Sequence, residues 1–135
     1  GEAGAVVARG LDGILTGEGV GGLGLGGARL VVLSACDTGV GGVRRGEGVM
    51  GLRRAFSAAG AQAVVMSLWK VPSQQTTRLM VDFHERYLAC ADASLAMAQA
   101  QRDALRRQRE VGDAYECSPW HWGAFVVCQS GTGAP

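Results

Sequence analysis

No stretch of the 135 residues approaches the ~20 consecutive apolar residues of a membrane helix, and no basic segment leads into an apolar one at the N-terminus. We therefore expect a soluble, unexported, cytoplasmic chain with no membrane partner. Charge of one sign is lacking too. With 13 basic and 12 acidic residues and a net charge of +1, no field draws the chain to nucleic acid or to an anionic bilayer. Paired cysteines are missing: Cys36, Cys90, Cys117 and Cys128 are widely spaced and form no C-x-x-C. That pattern argues against a zinc ribbon or a disulfide scaffold, so reduced thiols are expected, with neither metal nor cofactor. Histidine is scarce, with His84 and His121 alone and none before residue 84.

What is present suffices for one sizeable core: 47% of the residues are hydrophobic, and the length suits one domain or a piece of one. Half of the 22 glycines fall in residues 1–27, which read as a connecting segment. Residues 28–131 carry the domain, and 132–135 are a tail. Because the first residue is Gly1, an upstream portion is expected.

Leu30 to Leu33 is a continuous apolar run with β-branched Val31 and Val32, bounded by glycine-rich segments, as in a central strand covered on both faces. Cys36 follows just past its carboxyl end, where open α/β sheets gather their ligands. Val49, Leu52, Phe56 and Ala59 recur at helical spacing, so a helix is expected from about Glu47 to Ala59, with Gly60 as its C-terminal cap. Ala63 to Met66 reads as a second buried strand. The order strand, helix, strand favours a parallel pair. Pro72 and Ser73 open a second helix, capped by the serine, with the stripe Thr76, Met80, Phe83 and Tyr87. After a break near Cys90-Ala91-Asp92 a third helix turns Leu95, Ala98 and Leu105 inward and ends at Gly112. Its arginines, Arg102 to Arg109, form a solvated face. Ala124 to Cys128 is a third buried strand. Three strands fall short of the 5 to 6 of a typical sheet, so the sheet is expected to be incomplete at the N-terminus.

Gly17-Glu-Gly-Val-Gly-Gly22 fits G-x-G-x-x-G, which raises a nucleotide-binding α/β domain as an alternative. The context fails, because these glycines precede a strand and open no helix. Cys117, His121 and Cys128 lack an evident fourth partner for zinc.

Five blocks taken together resemble the C-terminal part of a CHAT domain, a caspase-like peptidase module. They are Ala28-Arg-Leu-Val-Val-Leu-Ser-Ala-Cys-Asp-Thr-Gly39, Gly46-Glu-Gly-Val-Met-Gly-Leu-Arg-Arg-Ala-Phe56, Ala58-Ala-Gly-Ala-Gln-Ala-Val-Val65, Ser67-Leu-Trp69 with Val71, and Trp122-Gly-Ala-Phe125. The resemblance implies an α/β caspase-like three-layer sandwich with a mainly parallel sheet. It also implies a cysteine endopeptidase acting on a peptide or protein substrate, with a helical-repeat regulatory region in the same full-length protein. Cys36 matches the nucleophile. The family's histidine, in a His-Gly dipeptide, should precede Gly13-Ile-Leu-Thr16, and this chain has no histidine there.

A thiol of ordinary pKa, about 8.5, is mostly protonated at neutral pH unless a base or cation is near. Asp37 beside Cys36 would raise that value, so activation must come from the upstream histidine, and this chain alone is expected to be inactive. By resemblance, Ser67, Leu68 and Trp69 bind the substrate, pairing with it through the main chain, while Trp69 walls a pocket; as plain residues they would be core. Ser73 stands where an aspartate is common in the family and where separases use an acid for a basic P1 side chain, so Ser73 is assigned to the P1 pocket without that preference. His84 reads as a helix-surface residue and His121 as a packing position. A catalytically inactive interaction module of the same fold is the alternative function.

Overall fold

Two β-branched runs and one later apolar run build a three-stranded sheet in this computed structural model, which describes residues 20, 22, 24–33, 47–112 and 118–130. Cys36, Cys117, Gly131 with the tail 132–135, and most of the glycine-rich segment 1–27 lie outside the described residues. The strands are β1 (Val31–Leu33), β2 (Ala63–Ser67) and β3 (Phe125–Gln129), in the order β1-β2-β3. β1 and β2 run parallel, with Val31 opposite Val64 and Leu33 opposite Met66. Every residue of β2 is buried, as suits a strand flanked on both edges and covered on both faces.

β3 departs from the expected mainly parallel sheet. It pairs with β2 in the antiparallel sense, Ala63 opposite Gln129 and Ser67 opposite Phe125. The cause lies in the connection. One helix, α1 (Glu47–Ala58), joins β1 to β2, whereas two full helices, α2 (Ser73–Cys90) and α3 (Ala93–Val111), join β2 to β3. One helix returns the chain to the starting end of the sheet. A second helix carries it back again, so the next strand must run the other way.

Alternation along β2 supplies two cores. Val64 and Met66 face α1 and pack with Phe56, Ala61, Val20 and Leu25. Ala63 and Val65 face α2 and α3 and pack with Leu79, Phe83, Met97 and Ala100. Past the end of α1, Gly60 adopts φ +106°, and a Cβ there would stand 2.9 Å from Gly26 Cα, so both conformation and space call for glycine.

α2 and α3 are separated by a sharp reversal. Ala91 is left-handed at φ 56°, and Asp92 caps α3 by accepting a hydrogen bond from Leu95 N at 2.9 Å. The expected serine cap of α2 does not form: Pro72 occupies the cap position and contributes no side-chain hydrogen bond. The inward face of α3 also differs from expectation. Leu95 and Ala98 are exposed and Leu105 is half-buried, while Ala93, Ala96, Met97 and Ala100 are buried. Small side chains on that stripe let α3 approach α2 and the sheet closely, and the leucines are left on its flanks. Across the α2–α3 seam Arg86 pairs with Asp103, and Arg107 Nη2 lies 2.6 Å from Asp82 Oδ2. Among the described residues no helix is long and apolar enough to cross a membrane.

Candidate functional site

Because β1 and β2 are parallel, their carboxyl ends share one end of the sheet. Leu33 lies opposite Met66, so Cys36 and Trp69 are each three residues beyond a matched pair. Covalent geometry alone keeps the Cα of Cys36 within ~11 Å of that of Leu33.

Ser67 is the last residue of β2, buried at 5% exposure and opposite Phe125. Leu68 leaves the sheet with its side chain half exposed, and its N–H donates to Ala124 O at 2.8 Å. That N–H is already engaged inside the fold. Trp69 is half-buried: its ring stacks on Trp120 with centroids 5.4 Å apart and planes 19° apart, and its Nε1–H donates to Trp120 O at 2.9 Å. The same ring packs against the α2–α3 core. Trp69 thus joins the core and lies at the end of the sheet at once. Ser73 is the first residue of α2, and its side chain lies outside what is described.

The helical turn α4 (Pro119–Trp122) carries Trp120 beside Trp69, with His121 next in sequence. Sequence reading passed over this turn and over Trp120, although Ser118-Pro119 is a helix-start signal. Ser118 Oγ does accept a bond from Trp120 N, at 3.4 Å. His121 is buried at 5% exposure. His84 is exposed, with Nδ1 2.7 Å from Met80 O, and stands eleven residues into α2, about 16 Å from the helix start. It is therefore remote from the strand ends. Cys90 is exposed and Cys128 half-buried, on elements that put neither beside Trp69. Among the described residues no three His, Cys, Asp or Glu side chains gather as metal ligands would.

The mixed α/β architecture agrees with what sequence comparison shows: residues 3–130 match the model of the CHAT domain, and the chain belongs to that family. It is similar to tetratricopeptide repeat protein 28 of Homo sapiens, 38% identical over 84 residues, and to tetratricopeptide repeat protein 28 of Mus musculus, 36% identical over 102 residues. These matches cover 62% and 76% of this chain but 3% and 4% of the two relatives, which are far longer.

Proposed function

We propose that this chain is the nucleophile-bearing part of a caspase-like cysteine endopeptidase, with a three-layer fold completed by upstream polypeptide that supplies the base. The supporting observation is the parallel pairing of Leu33 with Met66, after which Cys36 and Trp69 each follow three residues later in sequence. A histidine from the upstream part would take the Cys36 proton. The thiolate then attacks the scissile carbonyl, the amine departs with the proton from the histidine, and water releases the acyl group. With Leu68 N–H held by Ala124, the main chain of Trp69, one residue on, is the group that would pair with an extended substrate. The tetratricopeptide name of the relatives supports a helical-repeat region in the same full-length protein.

The test uses that full-length protein and a thiol-reactive peptide probe. Cys36 should be labelled far ahead of Cys90, Cys117 and Cys128, and Cys36→Ala should abolish both labelling and peptide cleavage. Cleavage that survives Cys36→Ala, or an upstream sequence without a His-Gly dipeptide, would sink the reading in favour of an inactive interaction module.

A further inference from the structure

A cavity of about 260 Å³ lies between the first turns of α2, the last turns of α3 and the turn α4. Its polar wall comes from Gln74, Gln75 and Arg78 of α2, Arg107 and Gln108 of α3, and buried His121 of α4. Leu79 and Val111 give it an apolar side. No acid lines it. Asp82, which pairs with Arg107 at 2.6 Å, offsets one guanidinium, and the exposed Arg78 has no ion pair among the described residues. The start of α2 adds to the positive field, since its first turn carries no acid and Pro72 gives its N–H groups no side-chain acceptor. One acceptor also lacks a donor: Gln108 Oε1 is buried without a hydrogen-bond partner, which is unfavourable until a donor reaches it.

Size narrows the ligand. The cavity lies at the small end of ligand sites, which run to roughly 300–1,000 Å³, and its size suits one side chain with its adjoining main chain. Guanidinium groups pair with an anion, which in an unmodified peptide is a carboxylate, and the Gln108 acceptor calls for an N–H on the same ligand. An acidic residue within a peptide carries both.

We propose that this cavity takes an acidic side chain of the protein substrate, with its carboxylate on Arg78 and Arg107 and its main-chain N–H on Gln108. Trp69 lies four residues before α2, and its stacking partner Trp120 is adjacent to His121, so the cavity opens at the same end of the sheet as the proposed cleavage site. The acidic residue would therefore be read apart from the scissile bond. The identity of the bound segment as substrate rests on the peptidase reading, and the test separates the two.

Fluorescence anisotropy on the full-length protein carrying Cys36→Ala, so that nothing is cut, would compare a labelled heptapeptide with one central glutamate against the same peptide with glutamine. The glutamate peptide should bind about ten-fold more tightly, and Arg78→Gln should erase that preference. Arg107→Gln should do the same, but it also breaks the Asp82 pair, so the exposed Arg78 is the decisive position. Equal binding of the two peptides, a preference that survives Arg78→Gln, or glutarate alone binding as tightly as the peptide would overturn the site. Equal binding with cleavage intact in the unmodified protein removes this site and leaves the peptidase reading standing. An intact preference with no cleavage keeps an acidic-peptide site and removes the peptidase reading.

Discussion

Trp69 and Trp120, 51 residues apart in sequence, are joined twice, by stacked rings 5.4 Å apart and by a hydrogen bond of 2.9 Å from Trp69 Nε1 to the main-chain oxygen of Trp120. This ties the exit of β2 to the turn that leads into β3. Trp69→Phe keeps a ring and loses the donor, and should lower unfolding free energy by about 1 kcal/mol. Trp69→Ala removes both and should lose about 3 kcal/mol, toward the lower end for Trp truncation because the ring is only half-buried. Urea denaturation of the two variants checks the difference. Equal losses would mean that the hydrogen bond carries the whole connection.

Phe83 is completely buried between the sheet, α2 and α3, whereas Leu88, five residues on, is 84% exposed. Phe83→Ala should cost about 3–5 kcal/mol and bring the domain close to its unfolding threshold. Leu88→Ala should stay within about 0.5 kcal/mol. Thermal unfolding distinguishes them directly.

These contrasts mark what sequence could and could not convey. Leu30–Leu33 and Ala63–Met66 announced β1 and β2, because short apolar runs around a valine pair suit buried strands. The direction of β3 was not legible, since Phe125–Cys128 reads the same either way and depends on the two-helix connection before it. The face of α3 was misread because Leu95 and Leu105 outweigh alanine in any hydrophobic pattern, while close packing favoured the alanines. Of the site, Trp69 was legible through its block, but its partner Trp120 was not, because nothing local links residues 51 apart. The Arg78–Gln108 cavity was hidden for the same reason: it exists only where the ends of two helices meet a third.

Two glycines should respond to alanine with opposite signs. Gly60 holds φ +106° with Gly26 Cα 2.9 Å from where a Cβ would lie, so Gly60→Ala should destabilise by about 1 kcal/mol or more. Gly51 is within α1 with open space around it, so Gly51→Ala should stabilise by about 0.5–1 kcal/mol. Paired chemical denaturation curves would show it: stabilisation by Gly60→Ala would refute the account of Gly60, and destabilisation by Gly51→Ala that of Gly51.

Asp103 serves Arg86 across the α2–α3 seam and Arg106 on its own helix, with side chains about a third exposed in the Arg86 pair. Solvent screens such pairs, so Asp103→Asn should lower stability by only about 1 kcal/mol. The loss should shrink further in 1 M salt, where the screening length is about 3 Å. A loss independent of salt would point to packing instead of charge.

Ser73 offers a substitution whose two consequences are separable. It is the first residue of α2, a helix with no acid in its first turn and a proline at its cap. An acid there meets the positive end of the helix dipole, so Ser73→Asp should raise stability by about 0.5 kcal/mol whatever the chain does chemically. If the peptidase reading holds, the same change restores the acid that related enzymes use against a basic P1 side chain, and the full-length protein should gain cleavage after arginine or lysine relative to neutral residues. A profile over substrates varied only at P1, measured beside an unfolding curve, reads both effects. Greater stability with an unchanged P1 profile would remove Ser73 from the substrate pocket and leave it as the opening residue of a helix.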